Sequence, residues 1–154
     1  MIHASALIGP DCRVGENAEI GPFCTVGLDG PEPATVIGAG ANLRSMSVIY
    51  RAVTAGLRLS TGHGVLVREF TTLGDDVSVG SHCVVEHHVV VESGVRLHSN
   101  CFVPEYSVLE QECWLGPGVI VTNSRYPAQP DSKERLAGVR IQRGAVIGAG
   151  VVLL

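Results

Sequence analysis

Residues 73–85 read Leu73-Gly74-Asp75-Asp76-Val77-Ser78-Val79-Gly80-Ser81-His82-Cys83-Val84-Val85, with an aliphatic residue at every sixth place: Leu73, Val79 and Val85. Followed outward, the beat passes through Ile37, Leu43, Ile49 and Val67 upstream, and Val91, Leu97, Val103, Leu109, Leu115 and Val121 downstream. Fifteen consecutive starts from 37 to 121 hold this register, and only Ala55 and Thr61 are not large aliphatics. The period also runs through Ile2, Ile8, Val14, Ile20 and Val26 and returns at Ile141, Ile147 and Leu153. A second column, four places after each start, is small or apolar, as at Ala41, Val53, Cys83, Cys101 and Val119.

A hexad of this kind is a short strand plus a sharp turn. The start and the small residue two places before the next start point inward, because side chains alternate along a strand. The three residues between them make a corner. Three hexads close a triangular coil of 18 residues, and coils stack at the inter-strand spacing of about 4.8 Å. One coil cannot bury its own apolar side, so stacking is what stabilises the chain. Gly often follows the start, as at Gly38, Gly56, Gly62, Gly74, Gly80 and Gly116, and the expectation is that this place takes φ > 0.

Composition agrees. The 154 residues include 19 Gly and a single Lys, Lys133; long helices want Lys, Glu, Ala and Leu, whereas turns want Gly. The net charge is −4, with 11 Lys+Arg against 15 Asp+Glu, and aromatics are 5%. A nucleic-acid binder would show a basic stripe or aromatic stacking platforms, so no nucleic-acid partner is expected. No stretch of 18 apolar residues could span a bilayer, and Met1-Ile2-His3-Ala4-Ser5 has no basic n-region. Five Cys without a C-x-x-C pair suit a reduced, cytoplasmic protein. All five, Cys12, Cys24, Cys83, Cys101 and Cys113, fall in the small inward column and read as packing residues.

Counting starts in threes names the corners. Corner A follows 37, 55, 73, 91 and 109; corner B follows 43, 61, 79, 97 and 115; corner C follows 49, 67, 85, 103 and 121. Two insertions break the register, at 27–36 and 122–140, and both are expected to leave from corner C. Corner A reads as a solvated edge. Corner B carries Gly62-His63-Gly64, Gly80-Ser81-His82 and His98-Ser99-Asn100; corner C carries Arg68-Glu69-Phe70, Glu86-His87-His88 and Pro104-Glu105-Tyr106. Five of the six His lie on these two edges.

The repeat resembles the hexapeptide-repeat family, whose fold is an all-β, left-handed parallel β-helix; the handedness comes from the resemblance, since parallel crossovers are otherwise right-handed. A single domain over 1–154 is expected. The stretches Ser60 to Glu69, Glu86-His87-His88, His98 to Tyr106, Trp114 to Gly118 and Thr122 to Pro127 look like bacterial acyltransferases acting on nucleotide-linked amino sugars. That branch usually has Gln-Asn-Asn where this chain has His98-Ser99-Asn100. The resemblance implies acetyl-CoA as co-substrate, an amine as acceptor, no metal, and a homotrimer with sites between neighbouring subunits. Members of the family continue for further coils, so an apolar end at Leu153-Leu154 implies truncation, a partner that covers it, or weak stability.

An amine attacking a thioester must lose a proton, and the tetrahedral oxyanion needs fixed donors. On this reading His98 is the base, Asn100 binds the amine or oxyanion, and Glu105 orients a histidine or holds the cationic amine. His63, Arg68, Glu69, His87, His88 and Tyr106 are expected to line the acceptor site. Asn123, Arg143 and Gly148 are expected at the CoA site, with Lys133, Arg135 and Arg140 available to phosphate. Two alternatives stay open. His82 and His87 echo γ-class carbonic anhydrases, and with His63 they would make a three-His zinc shell. The chain could also be a non-catalytic assembly module.

Overall fold

The computed structural model describes residues 1–28 and 30–154; Asp29, inside the first insertion, lies outside the described residues. Twenty-two strands, each of two residues, are the regular elements. They assemble into three parallel sheets, one of eight strands and two of seven. Each strand closes on a start of the six-residue beat, as in Val36–Ile37, Ser78–Val79 and Arg96–Leu97. The three sheets are the three sides of a left-handed triangular β-helix. Face A ends on starts such as Ile37 and Leu73, face B on Leu43, Val79 and Leu97, and face C on Ile8, Ile49, Val85 and Val103.

The register shows how the insertions are absorbed. Leu66 pairs with Val84 and Ser78 with Arg96, an offset of 18, one full coil. Arg13 pairs with Val36 and Val108 with Arg140. The extra residues are looped out between face C and face A, so both insertions leave from corner C as the counting requires.

The interior is the two inward columns. Ile37, Leu43, Leu97, Leu109 and Leu115 from the starts, and Val53, Val77, Val95 and Val119 from the second column, are all buried. Burying a side chain of this size contributes roughly 1.5–3 kcal/mol. Because every coil shields only its neighbours, the stability is spread along the stack. Four cysteines are buried and Cys12 is half-buried, and none is in a disulfide.

The polar residues in the second column have a structural task. Thr35 Oγ1 donates to the Tyr50 carbonyl at 2.7 Å and Thr71 Oγ1 to the Glu86 carbonyl at 2.8 Å. Cys83 Sγ approaches the His98 carbonyl at 2.9 Å, and Cys101 Sγ the Gly116 carbonyl at 3.2 Å. In each case the acceptor lies 15 residues on, at the first corner position of the next coil. The inward hydroxyl or thiol thus satisfies a corner carbonyl that the sheet ladder does not reach. Burial pushes the Cys113 thiol up to about 11.

One expectation is corrected. The left-handed backbone falls three places after the start, not one: Met46, Phe70, Asp76, His82, His88, Asn100 and Tyr106 all have φ of 57–64°. The glycines just after the start answer to crowding instead. A Cβ on Gly38 would lie 2.1 Å from the Gly56 carbonyl oxygen, and one on Gly80 would lie 2.4 Å from the Ser99 nitrogen. Successive coils touch backbone to backbone there.

Candidate active site

Corner B begins where face B ends, and the chain then crosses face C to corner C. His98 and Asn100 therefore stand on one edge and Glu105 on the next, with the Phe102–Val103 strand between them. The expected catalytic trio is not a single cluster within one chain. Asn100 occupies the left-handed turn position at φ 61°, which Asn tolerates well. His98 is half-buried, its ring edge-on to Trp114 at 4.7 Å between centroids.

Beside His98 runs a shallow groove of about 250 Å³ along face B and corner B, bordered by Ser60, Ser78, Ser81, Ser99, Arg44 and Arg96. Its side chains are hydroxyls, an imidazole and two guanidiniums, with no carboxylate. Arg44 also borders a larger groove of about 590 Å³ under Met1 and His3, where His63 stands. His63 Nδ1 and Ser45 Oγ are 2.7 Å apart. The two arginines were missed in the sequence, yet the six-residue count finds them. Arg96 is the outward partner of Leu97 and Arg44 follows Leu43, both starts of face B.

Corner C gathers the ion pairs. Arg68 Nη2 and Nε donate to the two Glu69 carboxylate oxygens at 2.7 and 3.1 Å, and Arg68 Nη1 donates to Glu86 Oε2 at 2.8 Å. Burial works to raise Glu69, but its own backbone N–H and the Arg68 guanidinium together hold it below the ordinary carboxylate range. Glu105 Oε2 accepts from Asn123 Nδ2 at 2.8 Å, and its other oxygen stands 3.9 Å from His87 Nε2. The facing Nδ1 atoms of His87 and His88 are 2.8 Å apart. Phe70, His88 and Tyr106 stack one above another, with ring centroids 4.8 and 5.4 Å apart. Arg68, Glu69, His87, His88 and Tyr106 are thus brought together with Glu105, whereas His63 is on corner B.

The expected CoA residues are not brought together. Asn123 opens the second insertion at corner C, Arg143 is on corner A, where its N–H donates to Glu110 Oε2 at 3.0 Å, and Gly148 is on corner B. Consecutive hexads must visit successive corners, so three residues spaced this way fall on three edges. The same rule parts His63 and His82, on corner B, from His87, on corner C. Among the described residues no three His, Cys, Asp or Glu side chains of one chain are grouped to hold a metal ion.

The family model of the GMPPB C-terminal domain matches residues 1–93, and that of the hexapeptide repeat of succinyl-transferase matches residues 134–154. No curated protein matches the sequence. The UDP-N-acetylglucosamine O-acyltransferase LpxA of Moraxella catarrhalis has a similar structure, with TM-score 0.67 and 18% identity, covering 99% of this chain and 66% of that one. LpxA of Acinetobacter baumannii aligns with TM-score 0.35 and 17% identity, covering 99% of this chain and 66% of that one. This chain spans 66% of the length of each of these two proteins. At 18% identity the likeness to the Moraxella catarrhalis protein shows the fold alone. With one family model covering residues 1–93 and a second closing the repeat at 134–154, the chain belongs to the hexapeptide-repeat family of left-handed β-helices, matching the GMPPB C-terminal domain.

Proposed function

We propose that the protein is a CoA-dependent acyltransferase that moves an acetyl group from acetyl-CoA to the amino group of a nucleotide-linked sugar, and that it works in the cytoplasm as a homotrimer. The observation that supports this most is His98, a half-buried imidazole at the edge of a groove whose charged side chains are Arg44 and Arg96. Guanidiniums suit the phosphates of CoA or of a nucleotide. A neutral imidazole suits a base acting near pH 7. The sugar amine attacks the thioester carbonyl, His98 takes the amine proton, and the C–S bond breaks to release CoA thiolate, which is then protonated. Asn100 binds the amine or oxyanion from corner B. Glu105, with Arg68, Glu69, His87, His88 and Tyr106, faces the acceptor from corner C of a neighbouring copy. Fold likeness to enzymes that transfer acyl groups supports the reaction class only by analogy.

His98→Ala tests the assignment. A fall in kcat/KM of roughly a hundredfold or more is expected for a general base; wild-type transfer in the variant removes His98 from that role. Calorimetric titration with acetyl-CoA tests the co-substrate, and no heat at millimolar ligand counts against the transferase. Stoichiometric zinc in the purified protein, lost in His82→Ala or His87→Ala, would instead support the hydratase.

A further inference from the structure

The groove of about 590 Å³ near the N-terminus takes no part in the acyl transfer proposed above. Its Ser45 lies on the same edge as His98 but three coils away, roughly 14 Å along the stack. It nevertheless holds a nucleophile and a base in contact. Ser45 Oγ and His63 Nδ1 are 2.7 Å apart, the reach that general-base activation of a hydroxyl needs. The two residues take the same corner position in successive coils, 18 residues apart, so coil spacing brings them face to face. Ser45 is half-buried and His63 exposed, so substrate and water can reach both.

The backbone adds a donor. This second corner position aims its N–H at the side chain of the next coil. The His63 N–H donates to Ser81 Oγ at 3.0 Å, the Asp75 N–H to Ser93 Oγ at 3.1 Å, and the Leu57 N–H to Asp75 Oδ1 at 2.7 Å. At Ser45 the imidazole that fills this place engages the hydroxyl instead. Among the described residues no acceptor reaches the Ser45 N–H. A nucleophile's own N–H is a suitable donor to the oxyanion of a tetrahedral intermediate. Arg44, the preceding residue, lines the same groove and brings a guanidinium to it. Met1, Ile20 and Pro22 give the groove an apolar side that suits an acyl chain.

We propose that Ser45 and His63 form a second catalytic pair, which hydrolyses esters of small apolar acids at a site separate from His98. Ser45 Oγ attacks the ester carbonyl carbon while His63 Nδ1 takes the hydroxyl proton. The bond from that carbon to the alcohol oxygen breaks, and His63 gives the proton to the departing alkoxide. Water then attacks the acyl-serine and loses a proton to His63. The bond to Ser45 Oγ breaks, the oxygen regains that proton, and the free acid leaves. With Nδ1 as the base, the ring hydrogen is carried on Nε2. Water is the only co-reactant.

The test treats the full chain with a fluorophosphonate, which phosphonylates an activated serine whatever its natural ester. Peptide mapping by mass spectrometry is expected to find the label on Ser45, and His63→Ala is expected to slow labelling about a hundredfold or more. Hydrolysis of p-nitrophenyl butyrate is expected to saturate with substrate and to fall by a similar factor in Ser45→Ala and in His63→Ala. Wild-type protein that takes no label on Ser45 overturns the proposal, and that result needs no variant to fold. Butyrate hydrolysis that survives intact in Ser45→Ala, or labelling of Ser45 at the wild-type rate in His63→Ala, overturns it as well. The readouts are serine labelling and ester hydrolysis, not transfer from acetyl-CoA, so either reading can fail alone.

Discussion

Asn123 donates its side-chain amide to the Glu105 carboxylate at 2.8 Å, tying the first turn of the second insertion to corner C. The bond leaves the other Glu105 oxygen directed toward His87. A hydrogen bond to a charged group is worth about 1.5–3 kcal/mol. Asn123→Ala is therefore expected to lower the melting temperature by several degrees and, by freeing Glu105, to cut kcat/KM for the proposed acetyl transfer about tenfold or more. Unchanged kinetics would show that Glu105 needs no such tether.

The inward hydroxyls predict a contrast. Thr71 is buried and satisfies the Glu86 carbonyl at 2.8 Å. Thr71→Val keeps the volume and orphans that carbonyl, so urea unfolding should show a loss of about 1–3 kcal/mol. Ser107 sits in the same column, but the residue 15 places on is Thr122, where the chain begins to leave the coil. Its buried hydroxyl has no hydrogen-bond partner among the described residues. Ser107→Ala is expected to be neutral or stabilising; a loss as large as that of Thr71→Val would mean the hydroxyl is satisfied after all.

The fold was legible because the same two columns recur: a chain that repeats Leu97, Cys101 and Val103 at fixed spacing has one way to bury them. The exit of both insertions at corner C followed from counting alone. The backbone of the corners did not. Gly is common right after the start, and a frequent Gly suggests a left-handed turn. The actual pressure at Gly38 and Gly80 is contact between coils, which no single hexad reveals. The left-handed place holds Gly40, Gly64, Gly94, Gly118, Gly144 and Gly150, but Met46, Phe70 and Tyr106 share it, so its glycines do not stand out against those just after the start. The site was half legible. Motif order joined His98 to Glu105, but the prism puts a face between them, and the Arg44–Arg96 groove emerges only when residues far apart in sequence are laid on one wall.

That distinction can be measured. Gly80→Ala would put a Cβ 2.4 Å from the Ser99 nitrogen. Rigid backbone cannot yield cheaply, so a loss of about 3 kcal/mol or more is expected. Glu112 is exposed and held at φ 61°. Glu112→Gly relieves a strain of roughly 1–2 kcal/mol and gives back part of it in unfolded-chain entropy, so a neutral to slightly stabilising result is expected. If the two substitutions have similar effects, the corner geometry described above is wrong.

Acid should unfold the helix through its pinned carboxylates. Arg140 donates to Glu110 at 2.7 Å and, with the Arg143 N–H, holds that carboxyl below its ordinary range. Arg58 does the same to Asp76 with two bonds of 2.6 Å, and Glu69 is held low beside Arg68. In each case the folded pKa lies below the unfolded one. The stabilisation is therefore complete above the unfolded value, near pH 4–4.5, and disappears as pH falls through the lower folded values. The melting temperature should be flat from about pH 8 to 5 and drop below about pH 4.5. Glu110 and Asp76 are solvent-screened, so added salt should blunt their share. Glu69 is the least exposed of the three, and Glu69→Gln should flatten the acid limb more than Asp76→Asn does. Equal slopes in the two variants would place the acid sensitivity on the solvated edge rather than at corner C.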